Sequence, residues 1–216
     1  MTAESPQEAF KKYREAKEVF SRLNMNLREF MSNSTEFNRQ IKREDRSDDT
    51  TPSTLGLTWD STSNSMVLKH AIKESKEITR RTVLSTIASV YDPMEFLLPL
   101  TVQAKRFFQG LWKKYYKWDQ RLGEEDAVKW QHICEESEGF TKEIPRRIAD
   151  RDATYKLVMF TDASTQVMCA AAYLSNENNQ NLLIAKSRLP SIQCHHTIPK
   201  LEMTAITMGT RLALNT

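Results

Sequence analysis

Between Tyr155 and Leu189 three apolar runs of strand length, YKLVMFTD, VMCAAAYLS and NLLIAKSRL, follow one another with only short polar breaks. Runs this rich in Val, Ile, Leu, Tyr and Phe suit strands, and breaks this short suit antiparallel neighbours. The spacing therefore predicts a three-strand meander. After it, Pro199 opens a segment with Leu201, Ala205, Met208 and Leu212 on one helical face. Proline is well placed in a first turn, where its missing N–H has no helical partner in any case. Three strands and one helix leave a sheet edge open and a face uncovered, so the C-terminus reads as a truncated α/β unit.

Upstream the apolar period becomes helical. One stripe after Pro6 holds Ala9, Phe10, Tyr13, Phe20 and Leu23. A second holds Val83, Leu84, Ile87, Val90 and Tyr91 and stops at Asp92-Pro93, because proline disfavours helix in the residue before it. From near Pro99 a third holds Leu100, Ala104, Phe107, Phe108, Leu111 and Tyr115, and a fourth holds Ala127, Trp130, Ile133 and Cys134. Residues Asn33 to Thr54 turn polar and end in RSDDTTPS, which reads as a mobile linker. Then LGLTWD, STSN and MVLK predict a short hairpin with Leu55, Leu57 and Trp59 on one face.

Composition sets the outer limits. With 216 residues, 39% hydrophobic and 27% charged, the chain can bury a core in one or two domains. Five glycines, and three widely spaced cysteines at Cys134, Cys169 and Cys194, argue against collagenous and disulfide-framework readings. There is no apolar run of about 18 residues, and MTAESPQEAF lacks the layout of a secretory signal. The expectation is an intracellular protein, cytoplasmic or nuclear and not secreted, with no membrane partner.

The net charge of +3 is modest, yet Pro99 to Arg121 carries Lys105, Arg106, Lys113, Lys114, Lys117 and Arg121 against Asp119, a local +5 that leaves −2 for the rest. Phe107, Phe108, Trp112, Tyr115, Tyr116 and Trp118 interleave with them. Cations bind phosphates and flat rings stack on bases, so the stretch is a candidate nucleic-acid surface. The same residues also suit an aromatic core with a wet lysine face. Arg80 and Arg81, and also Arg146 and Arg147, form lesser basic pairs. Asp162 ends its strand beside the small residues Ala163 and Ser164, which suits either a metal ligand or a turn cap. Glu202 flanks the apolar stripe of the last helix, where it can face a strand end or complement the helix dipole in solvent. Cys194-His195-His196 is a poor zinc site, since adjacent ligands cannot easily share one tetrahedral ion. Asn33-Ser34-Thr35 matches a glycosylation sequon that an intracellular chain never presents.

The succession FTDAS, CAAAYL, LLIAKSRL and TIPKLEM resembles the ribonuclease H domain of retrotransposon polymerases. The nearest resemblance is to the Bel/Pao group of LTR retrotransposons, whose series continues upstream as NLREFMSNS, TLGLTWD, TRRTVLSTIASVYDP, LWKKYYKWD and IPRRI. It runs from about Ala16 to Leu214, a region often labelled the Pao retrotransposon peptidase family. The resemblance implies an α+β or α/β chain in three parts. Residues 1–75 would be the end of a reverse transcriptase palm with a primer-grip-like hairpin, 76–150 a mostly helical thumb or connection, and 151–216 an incomplete ribonuclease H-like domain of three strands and one helix. It also implies that Asp162 and Glu202 are catalytic and hold Mg²⁺ or Mn²⁺ for cleavage of the RNA strand of an RNA/DNA hybrid.

Departures from the family pattern shape the functional expectation. Two further family aspartates have no counterpart before Thr216, no Tyr-x-Asp-Asp occurs, and Asp48-Asp49 lies in a polar stretch. The expected chain is therefore a catalytically incomplete polyprotein fragment with weak or absent metal binding. Its expected partners are RNA/DNA hybrid or duplex nucleic acid and the missing flanking polyprotein domains. The contacts would be Lys105, Arg106, Lys113, Lys114, Lys117, Arg80 and Arg81. Glu95 stands where relatives usually carry glycine, which questions the turn there. An aspartic peptidase needs Asp-Thr-Gly or Asp-Ser-Gly, and neither occurs. The other readings are a host-retained module that uses residues 76–139 for protein contacts, and a non-functional relic.

Overall fold

The structure, a computed structural model, describes residues 2–49, 51–54, 57–69, 77–149 and 153–215. It forms two compact units, one of residues 1–67 with 143–147 and one of 68–142 with 148–216.

In the first unit, α1 (Pro6–Arg22) starts where the Ser5 hydroxyl accepts from the Glu8 N–H at 3.2 Å, with Pro6 in the first turn. The stretch expected to be a linker is folded. It contains α2 (Thr35–Gln40), capped by Ser34, a 3₁₀ turn at Arg43–Asp45 and the short strand β1 (Ser53–Thr54). A few apolar residues suffice: Phe37 and Ile41 are buried against Tyr13, with Phe10 and Phe30 beside them. Asp45 is buried too, and its carboxylate accepts from Lys17 Nζ at 2.6 Å and Tyr13 Oη at 2.7 Å. The Lys17 and Tyr13 donors hold its pKa below the usual carboxylate range, while burial and the same carboxylate push Tyr13 up to about 12.

The expected hairpin forms as β2 (Leu57–Asp60) and β3 (Ser65–Lys69), with Trp59 opposite Met66. Leu55 lies outside the described residues. The sheet is larger than expected, because β1 pairs with β2 and β4 (Thr141–Pro145) adds on the far side, in the order β1-β2-β3-β4. Thr141 to Pro145 has little apolar alternation, so only its long-range partner marks it as a strand.

In the second unit, α3 (Arg80–Ser89) begins in a reciprocal cap between Thr79 and Thr82. It stops short of Pro93 as expected. The Asp92 carboxylate then accepts from the N–H groups of Phe96 and Leu97 at 2.9 and 2.6 Å, shaping the bend that leads into α4 (Leu98–Lys113). With α5 (Glu124–Ser137) these helices enclose Val83, Ala104, Leu111, Leu122 and Trp130. Leu84, in the middle of α3, and Tyr91, just beyond its end, are read as core-facing but are exposed. Tyr115 is 90% exposed, because α4 ends at Lys113 and Tyr115 adopts a left-handed φ of 55°.

The meander is present as β5 (Lys156–Ala163), β6 (Met168–Ser175) and β7 (Gln180–Arg188), antiparallel in that order. Alternation puts Met168, Ala170 and Ala172 on one face, where α6 (Ile198–Leu214) covers them through Leu201 and Ala205. The approach is close: a Cβ on Gly209 would lie 2.4 Å from Thr161 Cγ2. The mixture of helices with two antiparallel sheets is the α+β class read from the sequence. Among the described residues no helix is long and apolar enough to cross a membrane.

Candidate nucleic-acid interface and carboxylate pair

Asp162 is the penultimate residue of β5 and pairs with Cys169 across β6, which in turn pairs with Ser187 on β7. Its two neighbours in β5, Thr161 and Ala163, turn toward α6, so alternation points Asp162 to the opposite face. Glu202 is exposed just past the first turn of α6, next to the buried Leu201. Leu201 packs with Met168 and Ala163, which places that turn over the end of the sheet where Asp162 stands. The two carboxylates thus come from a strand end and a helix start at one end of the sheet. Both are hard oxygen donors of the kind Mg²⁺ or Mn²⁺ takes, so their chemistry fits such an ion as part of a set. Among the described residues no three His, Cys, Asp or Glu side chains gather to complete one.

On the face shared by Asp162, the bend before α4 is fastened to β7. The Glu95 carboxylate accepts from the Ser187 N–H at 2.8 Å and from its hydroxyl at 2.6 Å. Lys186 and Lys105 stand 3.4 and 3.7 Å from it, and the Ala185 N–H donates to the Met94 carbonyl at 2.9 Å. Glu95 has φ of 52°, a conformation that costs an ordinary residue energy and suits glycine. The docked carboxylate offsets that strain here. Burial, with the Glu95 and Asp162 charges, pushes the neighbouring Cys169 thiol up.

The seven cations read as nucleic-acid contacts divide into two groups. Arg80 is enclosed: its guanidinium lies 3.8 Å over the Trp112 ring and 5.4 Å from that of Trp118, it donates to the Tyr116 carbonyl, and it is 7% exposed. Its charge is directed into the protein, which corrects its reading as a surface contact. Arg81 forks onto Asp119. Lys114 binds both oxygens of Asp126, at 2.6 and 2.9 Å, and Lys105 is engaged with Glu95 and Ser187. Burial of Asp126 works to raise its pKa, but donors from Lys114 and Tyr116 outweigh it and hold it below the usual range. In the other unit, Arg146 stacks 5.0 Å from the Trp59 ring. Arg106, Lys113 and Lys117 are exposed, with no ion pair among the described residues.

Arg106 and Lys113 line a cleft of about 590 Å³ on one side of α4. The β5–β6 turn contributes Thr165 and Gln166, and the segment before α6 contributes Pro190 to Ile192 and Cys194 to His196. Among the described residues no carboxylate lines it. Sequence reasoning missed this cleft. It weighed Cys194-His195-His196 only as a zinc motif, and nothing local in the sequence brings that loop to α4.

A family model described as the Pao retrotransposon-like RNaseH-like domain matches residues 79–216, well over half of the chain. The chain belongs to that family. The matched Pao region starts at Thr79, the cap of α3, and takes in both the helices and the sheet with α6. Among solved structures, a foamy viral protease-reverse transcriptase in complex with dsDNA is similar at 13% identity and a TM-score of 0.24, over 79% of this chain and 35% of that one. The Pao chain thus spans about a third of that protein. No curated protein matches the sequence.

Proposed function

We propose that this chain is part of a retrotransposon reverse transcriptase/ribonuclease H polyprotein that binds RNA/DNA hybrid or duplex nucleic acid and is catalytically incomplete alone. In this reading residues 1–75 close the palm, 76–150 form the thumb or connection, and 151–216 carry half of the ribonuclease H-like site. The observation that carries it is the division of cations on α4 and the turn after it. Among the described residues Arg106, Lys113 and Lys117 have no ion pair while Lys105, Lys114 and Arg81 are matched with carboxylates, and unpaired cations are the ones that can replace counterions on phosphates. Asp162 and Glu202 would supply some of the ligands for a divalent cation, and flanking polyprotein domains the rest. A bound ion of this kind activates water and stabilises the leaving oxygen. Asp162, at a strand end, and Glu202, just past the first turn of a packed helix, stand on regular elements, which would hold such ligands steady.

The test is a hybrid-binding and cleavage assay on the full chain. Hybrid should bind, and Lys113→Glu with Lys117→Glu should weaken binding by about tenfold at low salt. Mg²⁺-dependent cleavage should be absent. Cleavage that Asp162→Asn abolishes would contradict the incompleteness, and binding indifferent to both reversals would contradict the interface.

A further inference from the structure

We propose that the cleft beside α4 receives one nucleotide of a single-stranded nucleic acid, with its phosphate at Arg106 and Lys113 and its base toward Phe107 and Ile133. This rests on the nucleic-acid reading of α4, in which Arg106 and Lys113 also meet duplex phosphates, and adds a cleft behind them that a base of a single strand can enter.

Four observations carry it. At about 590 Å³ the cleft has the volume of a small-molecule site. That is room for a nucleotide but not for a duplex, whose major groove alone is about 12 Å wide. Its charge has one sign, since Arg106 and Lys113 line it without a carboxylate between them. Those cations are seven positions apart on α4, about 10 Å along the axis, and Gly110 stands between them with open space where a Cβ would be. Finally, the lining mixes apolar surface from Phe107 and Ile133 with amides from Gln103 and Gln166 and the imidazoles of His195 and His196. Bases need that combination of a flat contact and hydrogen-bonding groups. His196 Nδ1 is buried without a partner among the described residues, and a phosphate oxygen or a base edge would supply one.

Fluorescence anisotropy on the full chain separates the outcomes, with a labelled single strand of about ten nucleotides and a blunt RNA/DNA hybrid of the same sequence. Gly110→Leu fills the cleft from a helix position where the added atoms first meet open space, so it blocks the site while leaving α4 intact. It should weaken single-strand binding by about tenfold and leave hybrid binding within about twofold. On the unaltered chain, a free nucleoside monophosphate should compete more strongly with the single strand, which uses both the cations and the cleft, than with the hybrid, which uses the cations and Lys117, a readout that needs no variant. Equal loss of both ligands in Gly110→Leu, or no loss, would overturn the proposal. A chain that binds hybrid but no single strand would overturn it while leaving the nucleic-acid reading standing, and a chain that binds neither would remove both.

Discussion

Helices α3 to α5 and the β5–β7 sheet with α6 belong to one unit but are held together differently. The helices close on large side chains, with Val83, Leu111, Leu122 and Trp130 all buried and Phe107 stacked on Trp130 at 5.4 Å. The sheet and α6 meet largely through small residues, Ala170, Ala172, Ala205 and Gly209. They leave Phe160, Met203 and Leu214 at 58%, 63% and 81% exposure. Burial energy scales with apolar area, so the first region stabilises itself by volume and the second by close approach. The second also keeps apolar surface for other contacts, which suits part of a larger assembly.

Cutting into the helical core should have the largest effect. Leu111→Ala, at 1% exposure, should cost about 2–5 kcal/mol in a denaturant melt. A cost under about 1 kcal/mol would show that the helices do not share one core. In the sheet the sensitive change adds an atom. Gly209→Ala should destabilise by about 1–3 kcal/mol despite the better helix propensity of alanine, because the new Cβ meets Thr161. Stabilisation instead would mean that α6 does not approach β5 so closely.

A smaller effect concerns the bend joining the two regions. Glu95→Gly removes the left-handed strain but also the acceptor for Ser187, and the lost charged hydrogen bonds should win by about 1 kcal/mol. A more stable variant would show that the clasp contributes nothing. The smallest effect is one of pH. Asp126 has a lowered pKa in the folded chain, so its contribution is present above the unfolded value of about 4 and is lost as pH falls through the folded value. The Tm difference between the unaltered chain and Asp126→Asn should therefore be steady near neutrality and narrow below about pH 4.

Patterns written locally were legible in the sequence. The meander, the proline-started α6, α1 and the stop before Pro93 each follow from a few consecutive residues. What was hidden depends on distant partners. Thr141 to Pro145 is a strand because β3 lies beside it, and the supposed linker folds because Phe37, Ile41 and Asp45 find Tyr13 and Lys17 on α1. The basic stretch was visible as charge, but its division was not. Arg81 meets Asp119 across 38 positions and Lys114 meets Asp126 across 12, so composition could not say which cations remain unpaired.

That division is tested most directly by the salt dependence of hybrid binding. A double-logarithmic plot of affinity against salt should be steep for the unaltered chain. It should flatten by about one unit for each of Arg106→Gln, Lys113→Gln and Lys117→Gln, and change little for Arg81→Gln, whose charge Asp119 already neutralises. Equal slopes for the unaltered chain and the three α4-side variants would contradict the account.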